Sequence, residues 1–331
     1  MNSLIDHLFP QGIDSTIQRQ LNRLPQPMRP LIMALAVAGT VIDPALVAQL
    51  IGQLNYSFLL NDWLIHCVSA GILEIVDGQN RFANEELRLT LLEVLDESET
   101  IFWHEQIATA LESIYQENMI HAAALAYHWQ QIGNTYKERH YARLAGEYAC
   151  QQYDYDTAVT HLNRALDLAA KADLPEQYSL LLVRERIYHH QGNRNAQKDD
   201  LTRLAEIADT LSTEGEQEWR TEVALRLGRF AEVTGEYTVA IVAATEALRM
   251  AKTADTPAHE AACYLLWGQA LLRQGKYEEA KEALQLSQTK AQTEQIPQII
   301  ADSLRFLGVV ASELGQFVKA SRHYEEALPL Y

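Results

Sequence analysis

The chain has 331 residues, 48% of them apolar, with only 15 glycines and 9 prolines; that length suits two domains or a domain plus a repeat array, and the composition favours helices over turn-rich β structure. Its net charge of −17 argues against nucleic-acid binding, which rests on neutralising phosphates with Lys and Arg, and fits an elongated helical protein kept soluble by its own charge. The three cysteines, Cys67, Cys150 and Cys263, form no CxxC pair and are expected as reduced thiols in the cytoplasm. Met1 to Pro10 holds Asp6 inside a short apolar stretch and does not read as a signal peptide, and no apolar run approaches the ~18 residues of a membrane span.

In chain order, residues 14 to 24 are expected as a helix with Asp14 as cap and Ile17, Leu21 and Leu24 on one face. Residues 26 to 95 follow a different grammar. Helices are expected from Pro27 to Gly39, from the cap Asp43-Pro44 to Gly52, and from Ser57 to Ala70, the last with Phe58, Leu59, Trp63, Leu64 and Val68 inward. Ile72 to Val76, a turn at Asp77-Gly78, and Arg81 to Ala83 read as a β-hairpin. A helix follows from Glu85 to Leu95. Ile101, Ile107, Leu111 and Ile114 recur at helical spacing over residues 97 to 120, a linking helix.

Three helices followed by a hairpin are the order of a winged helix. Its third helix carries Asp62 and His66 as its ionisable groups, with no Lys or Arg, and a recognition helix without either is poorly suited to base edges or phosphates.

The rest of the chain repeats itself. Leu227-Gly228 to Ala247, Trp267-Gly268 to Ser287 and Leu307-Gly308 to Ala327 align without gaps at a spacing of forty. Gly235, Gly275 and Gly315 follow, then Tyr237, Tyr277 and Phe317, then Ala240, Ala280 and Ala320. A glycine inside a helix costs ~1 kcal/mol against alanine, so the first of each set marks close approach of a second helix, filled by Leu284 or Tyr324 where the gap is larger. The second glycine falls where the first helix ends, and the aromatic begins the next. Thr256-Pro257 supplies a cap and a first-turn proline, with Pro297 equivalent. Ala145-Gly146, Tyr155, Ala158, Leu162 and Ala165 match the template earlier in the chain. Leu181 to Leu204, with its turn at Gly192 and Pro175 before it, matches more loosely, and Ala126, Trp129, Gly133 and Ala142 mark a first hairpin over 121 to 145. About six hairpins are expected, with the stack unfinished at Tyr331.

These residues resemble the tetratricopeptide repeat family over roughly residues 120 to 331, with a period of forty instead of that family's usual 34. The surplus is expected in longer helices or in the loops near Ala254 and Glu294. The fold expected is therefore mostly α: an N-terminal helix (1–25), a winged-helix domain (26–95), a linking helix (96–120) and a tetratricopeptide-like α-solenoid superhelix (121–331). The combination resembles the winged-helix and repeat region of signal-transduction ATPases of the STAND class. The resemblance implies a transcriptional or signalling regulator in which repeats sense a ligand and the winged helix relays the state to an ATPase domain not contained in this chain. It also picks out the stretch Arg81 to Arg88, where some members place a histidine that contacts ADP; here that position is Asn84, a weaker nucleotide contact that would need the ATPase domain present.

No chemistry of its own is legible in the chain. The nearest approach to a Walker A loop, Gly268 to Gly275-Lys276-Tyr277, fails in spacing and places tyrosine where Ser or Thr must reach Mg²⁺. His121 and His128 are two turns apart, His189 and His190 diverge, His66 and His104 have no evident partner, and Glu278-Glu279 and Glu325-Glu326 read as solvated faces. No catalytic residue, metal or cofactor is implied. The family's groove positions fall here on Glu222, Arg229, Glu232, Gln269, Arg273, Asp302, Arg305 and Glu313, and the three arginines suit a carboxylate. The expected partner is a protein or peptide; nucleic acid and membrane are not expected, and a stand-alone scaffold or peptide receptor is the competing reading, with a DNA-binding regulator behind it.

Overall fold

The computed structural model describes residues 15–115, 118–170, 173–212 and 217–331; Asp14 and the stretch Met1 to Pro10 lie outside them. The chain divides into two compact units, residues 1–169 and 170–331.

The first unit is built around α2 (Pro30–Ala38), whose residues from Pro30 to Val37 are all buried. Around it lie α1 (Ser15–Asn22), α3 (Pro44–Gln53), α4 (Leu60–Ser69), α5 (Glu85–Val94) and α6 (Glu97–Tyr115). Ile17, Leu21 and Leu24 face this core as expected. Three short strands, β1 (Val41–Ile42), β2 (Leu73–Val76) and β3 (Gln79–Phe82), form an antiparallel sheet in the order β1-β3-β2. The hairpin turns at Asp77-Gly78, both with positive φ, as a two-residue type I′-like turn requires. The strand β1 was not expected, since two residues carry no alternation to read.

Two helix starts move. The first of the three helices begins at Pro30, after a 3-10 turn over Gln26–Met28, because a proline at the first helical position is already set for the helix. The third begins at Leu60 instead of Ser57. Its buried face is Trp63 and Cys67, flanked by partly buried Leu60 and Leu64, while Leu59 is 70% and Val68 38% exposed. The expected inward set was therefore wrong at both ends: Leu59 precedes the helix, and Val68 falls one step off the 3.6-residue stripe. Trp63 anchors the helix by donating from Nε1 to the Met28 carbonyl at 3.0 Å.

The 19-residue α6 is a spine shared by two neighbourhoods. It opens with a capping box, in which the Asp96 carboxylate accepts from the Glu99 amide and Glu99 accepts from the Asp96 amide. Ile107 and Leu111 are buried as expected; Ile101 is half-exposed, and Trp103 and His104 take its place inside. Toward the preceding helices, Tyr115 donates to Asp43 at 2.5 Å and Gln53 donates to the Gln106 side chain at 2.6 Å. Toward α7 (Ala122–Ile132) and α8 (Thr135–Gln151), Glu112 accepts from Trp129 Nε1, Lys137 Nζ and Tyr141 Oη at 3.1, 2.9 and 3.0 Å. One carboxylate thus ties three helices with charge-assisted bonds. The antiparallel pair α7–α8, turning at Gly133 in the left-handed region, is the hairpin expected over 121 to 145. Then α8 packs on α9 (Tyr155–Leu168), with Gly146 against Leu162.

The α6–α7 contact also corrects a reading of the histidines. His104 and His128, both buried, meet with their Nδ1 atoms 2.7 Å apart, so one neutral ring donates to the other. Burial depresses His104 to about 4, and burial followed by the charge of His104 depresses His128 to about 3.

The second unit holds α10 (Leu174–Gln191), α11 (Arg194–Leu211), α12 (Glu218–Val233), α13 (Tyr237–Thr253), α14 (Pro257–Arg273), α15 (Tyr277–Thr293), α16 (Pro297–Glu313) and α17 (Phe317–Ala327). Consecutive helices pack in pairs. The surplus length lies in the helices: α13 to α16 have seventeen residues each, and the connections at 254–256 and 294–296 are three-residue turns. Each turn glycine after a first helix has positive φ. Thr256 does not cap α14; its hydroxyl instead donates back to the Ala251 carbonyl at 3.2 Å, closing the helix before. The close approaches are real. A Cβ on Gly228 would lie 2.6 Å from Leu266, on Gly268 2.6 Å from Leu284, and on Gly308 2.5 Å from Tyr324.

Two outcomes follow. Gly268→Ala should lower stability by about 1–2 kcal/mol, since overpacking outweighs the ~1 kcal/mol of helix propensity gained. Gly52→Ala, in α3 with open space around it, should raise it by up to ~1 kcal/mol; urea midpoints moving in the same direction for both would contradict this packing. For the histidines, the unfolded chain binds protons from about pH 6.5 downward that the folded pair refuses until about 4. Their contribution is therefore intact above pH 6.5 and lost as the pH falls below it, on the order of 2 kcal/mol for each histidine by pH 5. His128→Gln should flatten that slope in urea melts at pH 7 and pH 5; an unchanged slope would show that other groups govern it.

Candidate functional site

The candidate surface is made by the first helices of the repeats. Besides its own partner, α12 packs on α14 and α14 on α16, so α12, α14 and α16 form a continuous row. Polar links cross it. Arg273 on α14 pairs with Glu232 on α12 at 3.1 Å, and His259 on α14 stands 3.6 Å from Glu222 on α12.

The sequence-derived residues divide by what the structure gives them. Glu222 is half-buried and held by Arg226 at 2.6 Å as well as by His259. Burial alone would raise its carboxyl; those two neighbours, with Arg229 beyond them, bring it down to about 2. Glu232 and Arg273 satisfy one another. Asp302 accepts from Tyr331 at 2.8 Å and pairs with Arg305 at 3.4 Å, and Arg305 also lies over the Phe306 ring. Glu313, exposed, accepts from the Tyr277 hydroxyl at 3.2 Å. Gln269 is half-exposed and Arg229 exposed. The three arginines do not converge on one point. Arg305, Arg229 and Arg273 stand at three different heights along their helices, and two already hold carboxylates of this chain. Arg229, among the described residues, has no hydrogen bond or ion pair.

Beneath this surface lies a buried polar seam that the sequence did not reveal. Arg226 of α12 pairs with Glu185 of α10 and with Glu222, Gln197 of α11 donates to Glu185 at 2.7 Å, and Arg184 pairs with Asp200. Glu185, Gln197 and Asp200 are all buried. Burial raises the Asp200 carboxyl despite Arg184. In the two later repeats the position of Arg226 is taken by Leu266 and Phe306, which hid the seam: a template read from those repeats marks the site as apolar.

Asn84 has a structural task, since it caps α5 by accepting from the Glu86 amide at 2.8 Å. His121 stacks on Tyr115 and His189 sits beside Gln197. The outward face of α4 presents Asn61, Asp62, Ile65, His66, Val68 and Ser69. All three cysteines are free thiols. Among the described residues no helix is long and apolar enough to cross a membrane.

The profile of the tetratricopeptide repeat matches residues 261–289, which is most of α14 and α15. This is a tetratricopeptide-like repeat protein. No curated protein sequence matches the chain. Among solved structures, aspartyl phosphate phosphatase F from Bacillus subtilis is similar at a TM-score of 0.52 and 15% identity, over 97% of this chain and 76% of that one. A Rap protein complexed with competence and sporulation factor gives 0.52 and 14%, over 74% and 69%. A STAND protein with a tetratricopeptide repeat sensor from Pyrococcus horikoshii gives 0.48 and 14%; it covers 98% of this chain, which spans 53% of that protein. At such identities the likeness is one of fold: a stack of tetratricopeptide-like helix pairs.

Removing one partner of a buried ion pair is costly because the other charge stays in low dielectric. Arg226→Ala should lower the stability of this unit by about 3 kcal/mol, and Arg226→Met together with Glu185→Leu should recover most of that loss. Thermal melts in which the double variant is no better than the single would show that the seam does not act through its charges.

Proposed function

We propose that the chain is the sensing and relaying part of a STAND-type regulator: the repeats bind a protein or peptide along the α12–α14–α16 row, and residues 26–95 form a winged-helix module that passes the bound state to an ATPase domain. The observation that carries the relay is α6. It is hydrogen-bonded on one side to the helices of that module through Tyr115–Asp43 and Gln53–Gln106, and on the other to the first hairpin through Glu112 and His104–His128. Such a spine lets the hairpin and the module move as one piece, so that ligand can shift a closed–open balance. The order α2, β1, α3, α4, β2, β3 with the strands paired β1-β3-β2 supports the winged-helix reading. The outer face of α4, without Lys or Arg, supports a protein-facing role for it and opposes DNA. The chain itself catalyses nothing in this reading, and it works in the cytoplasm.

A second reading has support of its own. The likeness to a Rap protein solved with competence and sporulation factor fits a peptide receptor that needs no ATPase. Both readings place a peptide or protein on the repeats, and they part over the relay.

A peptide array of acidic, neutral and basic sequences probed with the whole chain should return binders whose hydrogen-exchange footprint covers α12 and α14. Slower exchange should extend to α6 if the relay operates; protection confined to the repeats would favour the simple receptor. An array without binders, or ATP turnover by the purified chain, would sink the proposal.

A further inference from the structure

Resting on the reading that the repeats bind a peptide, we infer that Arg186, Arg229 and Gln269 form a donor row that takes an extended peptide with acidic residues about three apart. The three stand at one level. Each lies six residues before the left-handed glycine that ends its helix, Gly192 for α10, Gly235 for α12 and Gly275 for α14. In α16 the same level is Val309, which ends the row. The sequence template missed Arg186 because α10 departs from the forty-residue register; the turn glycine restores the alignment, and the buried Tyr178, Leu180 and Glu185 of α10 then match the buried Thr221, Val223 and Gly228 of α12.

Charge accounting singles out this level. Arg184 is held by Asp200, Arg226 by Glu185 and Glu222, Arg273 by Glu232, and Arg305 by Asp302. Arg186 and Arg229 are exposed and, among the described residues, have neither a hydrogen bond nor an ion pair. The neighbouring acids Glu185, Glu222 and Glu232 each take their hydrogen bonds from other side chains, and Arg229 acts on Glu222 only through space. Arg194 and Arg229 act on His189 beside them in the same direction as its burial, keeping the imidazole neutral. Among the described residues these two exposed guanidinium groups keep their hydrogen-bond donors open in a chain of net charge −17, and a guanidinium binds carboxylate through paired, charge-assisted bonds. The packed pair α12–α14 sets a spacing of about 8–10 Å, and α10 meets α12 through Arg226–Glu185 and Tyr178–Trp219. An extended strand covers that span in about three residues at ~3.3 Å each, which sets the spacing of the acids. Gln269, an amide, takes the end of the segment as a neutral donor.

The probe is a fluorescein-labelled peptide of the repeating form Glu-Ala-Ala, compared at low salt with the same peptide carrying Gln or Lys for Glu. The acidic peptide should bind at least ten-fold more tightly than either, against the repulsion expected from the net charge. Arg186→Gln with Arg229→Gln should weaken it at least ten-fold with circular dichroism unchanged, whereas Arg249→Gln, on the exposed face of α13, should leave it as it was. Equal binding of the Gln or Lys peptide, an unaffected double variant, or a preference for a short oligothymidylate would each overturn the inference. Array binders of basic or neutral composition would overturn it while leaving the peptide reading standing; an array with none removes both.

Discussion

The repeat half of this molecule depends on how closely two helix backbones can approach. At Gly228, Gly268 and Gly308 the neighbouring side chain sits where a Cβ would be, and those contacts fix the rotation of each helix about its axis. That rotation decides which residues face the α12–α14–α16 row and which face the next layer. Gly146 repeats the device in the first unit against Leu162. The exposed face of that row is therefore set by glycines packed beneath it.

What could be read from the sequence is what is periodic. The forty-residue spacing, the aromatic starts of α13, α15 and α17, and the close-approach glycines all follow from local chemistry repeated three times. The hairpin at Asp77-Gly78 was legible because only a few residues tolerate its backbone. The rest depends on single long-range contacts. Glu112 shows nothing in sequence of its three donors, because Trp129, Lys137 and Tyr141 come from two other helices. His104 and His128 are 24 residues apart and meet only because α6 and α7 fold back on one another. The misplaced inward face of α4 has the same origin: tertiary packing of Trp63 and Cys67, not local propensity, sets where that helix begins.

The groove candidates were legible as positions but not as states. Template numbering located Arg273 and Arg305 on the first helices. It carried no information on whether a carboxylate of the same chain already occupied them. Arg229 and Arg273 look alike in the sequence, and only the structure separates a cation paired with Glu232 from one that, among the described residues, makes no hydrogen bond or ion pair. Asn84 teaches the same lesson from the other side. An amide that resemblance connects with nucleotide is, in this fold, committed to the first turn of α5.

The seam of Arg226, Glu185, Gln197 and Asp200 gives the second unit an internal boundary of a different material. Between α13 and α14, and between α15 and α16, the helices meet through small and branched apolar residues, a contact that weakens on cooling. Between α10 and α12 the contact includes, beside Tyr178 on Trp219, the Arg226–Glu185 ion pair, whose desolvation cost falls as temperature rises. One stack thus contains two kinds of joint with opposite thermal behaviour. Heating and cooling load different joints, so the place where the array first opens is set by the conditions as well as by the fold.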